Sequence, residues 1–341
     1  MMNIDLLKRL CMTDGISGDE GSVRELIKEE IKGCADEITT DAMGNLIVFK
    51  KGKNTPKRKV LLSAHMDEVG FIVTYINDDG TLKVSEVGGI DRRCILGDAV
   101  KINGNLNGVF GTKPIHLCND DEKKQIPKLK DMYIDIGAKD RESAEKLVSL
   151  GDSVAFVSDF IINDDALITK AIDDRLGCAV MIDMIKGDLE YDMYFSFVVQ
   201  EEVGLRGATG AAYSVAPDSA IVIESTTASD VPGIEESNVM CKVGEGAVIS
   251  FMDRATVYDR EYFKLALKTA EENGIKAQVK EGVAGGNDSG AIHRSRGGVR
   301  TVAVSVPCRY LHSAYTLISL KDYEETEKLV KALSVKLCEH D

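Results

Sequence analysis

The chain has no tryptophan at all, and only 6% of its residues are aromatic. A groove that stacks rings against sugars has little to be built from. Basic charge is also short: 42 Lys and Arg stand against 56 Asp and Glu, a net charge of −14. Phosphate contacts need a basic excess, so a nucleic-acid partner is excluded. No apolar run approaches the ~20 residues that span a bilayer, so no membrane partner is expected. Eight cysteines, at 11, 34, 94, 118, 178, 241, 308 and 338, include no Cys-x-x-Cys pair. That removes zinc ribbons and thioredoxin-type redox motifs. Cys178 and Cys338 sit in apolar or helical stretches, which suits free buried thiols in a reducing compartment. The start of the chain reads as an amphipathic helix, not a charged start and apolar core of a secretion signal. A soluble, cytoplasmic protein is expected.

What remains is an ordinary globular balance, with 44% apolar and 29% charged residues over 341 positions. That length fits one large domain or two. Four short apolar runs stop at, or just before, residues of the metal-ligand type. Val60–Ala64 runs into His65 and Asp67, and Tyr194–Val199 into Glu201 and Glu202. Ala220–Ile223 ends on Glu224, and Val302–Val306 leads to His312. In an open α/β sheet, the carboxyl ends of parallel strands line one crevice. If these runs are neighbouring parallel strands, imidazoles and carboxylates converge there, and cations are needed to offset the repulsion.

Around these runs the texture changes twice. Ser17-Gly18-Asp19-Glu20 has the capping-box spacing, followed by Val23, Leu26, Ile27 and Ile31 at helical intervals up to Gly33. Asn45–Phe49 reads as a strand. From about Val69 to Phe160 come short β-branched runs, such as Phe71–Ile76 and Asp98–Ile102, between Asn-Gly and Gly-Asp turns. That pattern predicts a small barrel or sandwich. Asn119–Lys130 reads as a surface loop and Asp140–Leu150 as a short helix. Beyond Asp164, helical patterns return over Asp173–Ile185, Tyr258–Asn273 and Asp322–Leu337. The expected fold is α/β, built from residues 1–66 and 165–341, with an all-β barrel-like domain, 67–164, inserted between them.

Each candidate residue has a plainer reading as well. His65 and Asp67 lie two apart, on one side of an extended segment, so the carboxylate could hold one imidazole nitrogen. Asp173, taken alone, suits a helix N-cap; it becomes a bridging ligand only if other ligands lie near. Glu201 and Glu202 point opposite ways on an extended chain, so one could bind metal while the other faces an open position. Either could equally be an acidic strand end in solvent. Pro307 should end its strand and force the loop that carries His312. His116 and His340 lack such context and read as surface or packing residues. Gly285–Gly290 is a flexible loop without the lysine and strand-loop-helix frame of a phosphate loop. Arg206 and Arg309 could meet an acidic substrate side chain or hold structural ion pairs.

Five segments, SAHMDEVGF, AIDDRLG, QEEVGLRGA, GGNDSGA and PCRYLHS, fall in an order and spacing that resembles the tetrahedral-assembly metalloaminopeptidases. That family includes glutamyl and deblocking aminopeptidases, and some members carry an endoglucanase label. The resemblance spans nearly the whole chain. It implies the co-catalytic zinc exopeptidase type of α/β sandwich and two divalent ions per subunit, zinc first, with cobalt or manganese as alternatives. It implies that Asp173 bridges the ions, that His65 and Glu224 complete one site, and that Glu202 and His312 complete the other. Glu201 would be the general base and Asp67 the partner of His65. Short peptides with a free N-terminus would be the substrates. The inserted domain would serve assembly and substrate gating, with dimers building to a dodecamer. Glu224 and Asn287 depart from the family pattern, which often has Asp and Thr there. A glycoside hydrolase and a non-catalytic scaffold are the alternatives. The first needs two carboxyls about 5–5.5 or 6.5–9.5 Å apart, which adjacent glutamates supply poorly; the second would fit a missing ligand type, and none is missing.

Overall fold

The four apolar runs are neighbours in one sheet. A computed structural model describes residues 3–340. Its largest sheet has eight strands, in the order Glu37–Thr40, Leu46–Lys50, Met193–Val198, Val60–His65, Ser219–Thr227, Arg300–Cys308, Ala247–Ile249, Ala277–Val279. The middle four run parallel, with Val198 opposite His65, Val222 opposite Ser63 and Glu224 opposite Ser305. Their near-continuous burial is what a sheet covered on both faces requires. Leu62, Phe195, Ile221 and Val302 pack against Leu176 and Val180 of the Ile172–Lys186 helix and Leu329 and Leu333 of the Leu320–Glu339 helix. The alternate residues Leu61, Val198, Ala220 and Val222 pack on the other face, against Ala208 and Ala211 of the Arg206–Val215 helix. The result is a three-layer α/β sandwich.

A closed six-strand barrel interrupts it. Its order is Gly70–Ile76, Leu82–Val87, Met132–Asp135, Leu106–Thr112, Ala99–Ile102, Ser153–Phe156, and every pair is antiparallel. Phe71 fills its centre, with ring centroids 4.8 Å from Phe110 and 5.5 Å from Phe156. Closure leaves no unpaired strand edge, which small β units otherwise have to protect.

Several local expectations need correction. Ser17 and Glu20 do not form a capping box: the Gly21–Glu30 helix has no side-chain cap bond, because both side chains reach elsewhere. The Asn119–Lys130 stretch holds a helical turn, Asp120–Lys123, capped by Asn119. Asp140 caps a helix shorter than expected, Arg141–Glu145. The Arg300–Cys308 strand runs through Pro307, which pairs with Thr226. Pairing on its other flank stops at Ser305, so the missing proline N–H removes no ladder bond there. The strand carrying Glu224 likewise continues to Thr227. The exposed strand Glu37–Thr40 carries no alternating pattern that could have marked it.

Candidate metal centre and active site

At the carboxyl ends of the parallel strands the backbone leaves regular geometry, and each departure aims a side chain. His65 is the last residue of its strand, and Glu224 faces the crevice from within its own. His312 follows four residues after Cys308, in a left-handed conformation with φ of 60°. Asp173 stands at the start of the Ile172–Lys186 helix with non-helical dihedrals. It is not the N-cap that its position suggested. Its neighbour Asp174 takes the Gly177 N–H at 3.0 Å and the His65 N–H at 3.3 Å, which leaves Asp173 free to face the crevice.

Two imidazoles and three carboxylates then meet without closing on one another. His65 Nε2 lies 3.6 Å from Asp173 Oδ1 and 3.8 Å from Glu224 Oε2. His312 Nε2 lies 3.6 Å from Asp173 Oδ2 and 3.3 Å from Glu202 Oε1. Each oxygen of Asp173 thus faces a different ring, and each ring has a second carboxylate. Ligand atoms of His65, Asp173 and Glu202 all lie within 4.8 Å of one another. Asp173 Oδ1 and Glu224 Oε1 are buried with no hydrogen-bond partner. Orphaned buried carboxylate oxygens require an explanation, and divalent cations supply one. The donor set of imidazole nitrogens and carboxylate oxygens suits zinc, cobalt or manganese.

Both rings are held in the orientation a ligand needs. His65 Nδ1 is 3.0 Å from the Asp67 backbone oxygen, and His312 Nδ1 is 2.8 Å from the Gly89 oxygen. A carbonyl only accepts, so Nδ1 carries a proton in each ring and Nε2 is the nitrogen left to face a cation in the crevice. Asp67 faces the His65 ring from its side chain as well. Its carboxylate, 3.5 Å from His65 Nδ1, is the more distant partner, and it takes the backbone N–H groups of Glu201 at 3.0 Å and Glu202 at 3.1 Å.

Glu201 and Glu202 do not diverge as on an extended strand. Gln200 adopts φ of 57°, the chain turns, and both glutamates line one cavity of ≈ 380 Å³ with Asp173, Glu224, Lys280 and His312. Burial pushes the Glu201 and Glu224 carboxyls well above the usual carboxylate range. The same cause lifts Glu202 and Asp288 to about 7 each. Burial alone would depress the imidazoles, yet the Asp173 and Asp67 carboxylates outweigh it and hold His65 well above its ordinary value. For His312, burial is likewise outweighed by Asp173 and Glu202, which bring it to about 9. Asp173 itself is held below the usual range because both imidazoles overcome its burial. With every acid ionised the crevice would carry more negative charge than its imidazoles offset, so without cations its acids retain protons.

Sequence spacing missed Gly89, Asp288, Lys280, Ser17 and Glu20. Asp288 lies in the glycine-rich segment expected to be merely flexible, yet it is fully buried with both oxygens unpartnered. Asn287 helps to order that loop through Tyr258 Oη at 2.9 Å and the Ser289 N–H at 2.9 Å. Arg309 is taken by Asp230, at 2.8 and 2.6 Å, so it serves a structural ion pair. Arg206 reaches Gln200 Oε1 at 3.3 Å on the surface. His116 lies in an exposed turn, and the ring of His340 packs against Tyr262 at 5.6 Å.

An α/β sandwich with an inserted barrel and an acidic, imidazole-bearing crevice at its strand ends defines a class of hydrolase fold. Residues 44–329 match the model of the M42 glutamyl aminopeptidase family, and the chain belongs to that family. It is 44% identical to a candidate aminopeptidase of Acetivibrio thermocellus, over 96% of each chain. It is similar to the crystal structure of a TET aminopeptidase from a marine-sediment thaumarchaeote, with TM-score 0.94 and 36% identity, over 98% of this chain and 96% of that one. The TET1 peptidase of Pyrococcus horikoshii, described as assembling into a tetrahedron or a large octahedral shell, matches with TM-score 0.85 and 38% identity, over 97% and 98%.

Proposed function

We infer that this chain removes N-terminal amino acids from short peptides at a centre of two divalent cations, zinc first. The observation that carries the reading is Asp173, whose two oxygens face two different imidazoles while one oxygen has no partner. Asp173 would bridge, with His65 and Glu224 on one side and Glu202 and His312 on the other. Asp174 is the weaker candidate bridge because backbone N–H groups already occupy both its oxygens. Cations held there would supply Lewis-acid polarisation of the peptide carbonyl and a more acidic water.

Glu201 lines the same cavity, where burial strengthens its carboxylate as a proton acceptor; ionised beside bound cations, it would take the proton of the attacking water and return it to the leaving amine. Acidic groups around the cavity suit the free α-amino group of a substrate, which favours an exopeptidase. Among the described residues Lys280 is the one Lys or Arg on the cavity wall, and it uses one of its donors on the Ala284 oxygen. It favours an acidic first side chain. The inserted segment 67–164 would serve assembly and gating, with dimers building to a dodecamer; exposed Ile115, Leu117 and Ile126 on it are consistent with covered contacts in an assembly. The absence of any disulfide among the described residues suits a cytoplasmic location.

The test is hydrolysis of glutamyl, leucyl and lysyl anilides with and without a chelator, beside sugar release from cellulose. Chelator-sensitive anilide cleavage is expected and no sugar release. Glu201→Gln should lower kcat by about 10²–10⁴-fold with cation content unchanged. Retained turnover in that variant would reject the role of Glu201.

A further inference from the structure

Past Val198 the sheet ladder ends, yet the next four backbone N–H groups are all caught by side chains from distant parts of the chain. Val199 N donates to Asn45 Oδ1 at 3.0 Å and Gln200 N to Glu20 Oε1 at 3.1 Å. Glu201 N and Glu202 N donate to the two oxygens of Asp67, at 3.0 and 3.1 Å. The three acceptor residues are buried, Asn45 and Asp67 fully and Glu20 to within 4%. Ser17 joins the set by donating to Asp67 Oδ2 at 2.6 Å.

Glu20 is the member that the family resemblance assigns nothing. Its one engaged oxygen also takes the Gly18 N–H at 2.7 Å, so the carboxylate is fixed from its own loop. It grips the residue where the chain departs from ordinary geometry: Gln200, with φ of 57° and a side chain that makes that region unfavourable. That left-handed residue turns Glu201, which follows it directly, towards the cavity, while Glu202 one residue on is held by its own N–H bond to Asp67 at 3.1 Å.

We propose that Glu20 is a positioning residue for Glu201: by holding the Gln200 N–H it fixes the left-handed turn that aims the Glu201 carboxylate into the cavity. The inference rests on the reading of Glu201 as the proton carrier. It makes no claim on the cation ligands. A proton-transfer group displaced by about 1 Å loses up to about 10²-fold in rate, while binding groups elsewhere are untouched.

Three variants separate aim from mere stability. Glu20→Gln keeps an oxygen at the same reach. Glu20→Asp keeps the charge but is too short to meet Gln200 N, and Glu20→Ala removes the acceptor. We expect kcat to fall about 10–10²-fold in E20D and E20A, with KM within about twofold and bound cation unchanged, and E20Q to stay within about threefold of the parent. If E20A does not accumulate as folded protein, the contrast of E20Q with E20D carries the test. A crystal structure of E20D should show Gln200 out of the left-handed region; this readout stands whether or not the parent cleaves aminoacyl anilides. Unchanged kcat in E20D, a loss in E20Q as deep as in E20D, a fall that tracks lost cation, or an unmoved Gln200 overturns the proposal.

Discussion

Two groups of buried charge lie a few residues apart along the strand end at Asp67 and Glu68, and they are balanced in opposite ways. In the first, Glu68 receives Lys170 Nζ at 3.1 Å and Arg175 Nη2 at 3.5 Å, and Lys170 also reaches Asp14 at 2.6 Å. Arg175 adds hydrogen bonds to the Thr13 and Gly15 backbone oxygens at 2.8 and 3.3 Å. Two buried cations meet two carboxylates, Lys101 stands 3.5 Å from Asp14 at the rim, and the chain neutralises its own acids. In the second, Asp173, Glu201, Glu202, Glu224 and Asp288 gather with two imidazoles, and buried oxygens are left without partners. Burying uncompensated charge is too costly to tolerate as mere structure. The first group is built to hold the N-terminal helix on the sandwich; the second is built to receive charge from outside.

The sharpest way to break the comparison is to remove one acid from the unbalanced group. Asp173→Asn should abolish cation binding and lower kcat/KM by three or more orders of magnitude, about 4 kcal/mol, while folding is retained. Metal analysis and anilide kinetics on one preparation check both halves. Full activity with one or no bound cation would mean that the centre needs no bridge.

Removing a cation from the balanced group should do the reverse. Arg175→Met leaves Glu68 with one partner fewer and the Thr13 and Gly15 oxygens short of a donor, at a site where Arg175 is fully buried. A loss of about 3–5 kcal/mol in stability is expected. Urea unfolding with cations present measures it, and kinetics on the remaining folded enzyme should show bound cation unchanged.

How much of this was legible beforehand follows from distance along the chain. The four strand ends could be read because apolar runs and ligand-type residues are local patterns, and five motifs in register suggested which residues meet. The barrel was legible from closely spaced β-branched runs and turns. Local patterns misled where a side chain's true partner is remote. Ser17 and Glu20 have capping-box spacing, but their partners are 50 and 180 positions away. Asp173 has N-cap chemistry, but Asp174 takes the amides and Asp173 faces the crevice. Pro307 is a strand breaker only where its N–H is needed, and an open flank on the sheet removes that need. The Gly89 oxygen that orients His312 is 223 positions away, and a backbone carbonyl leaves no mark in sequence.

Stripping the cations should weaken only the unbalanced group. Cation present at 100 times its dissociation constant stabilises the folded state by about 2.7 kcal/mol, so chelation should lower the melting temperature and added zinc should restore it. In Asp173→Asn zinc should have little effect on melting, whereas in Arg175→Met the zinc increment should survive in full. An increment lost in Arg175→Met would show that the two groups are one network.

The least direct test is the pH dependence of the cation-free protein, and its sign discriminates. Glu202, lifted to about 7, and the raised Glu201 and Glu224 hold protons in the folded state that the unfolded chain has already released. His312, at about 9, and the raised His65 do the same. Raised folded values mean that the folded state binds more protons than the unfolded chain from about pH 5 to 9. Stability of the stripped protein should therefore fall as pH rises through that window, by about 1.4 kcal/mol per pH unit for each proton retained. Cations take over the role of those protons, so the loaded protein should show a flatter profile or the opposite slope, because ligands must lose protons to bind metal. Melting curves at several pH values, with and without chelator, give both slopes. Parallel profiles would mean that the acids of the crevice are already neutralised by the chain, and the contrast between the two charge groups would be lost.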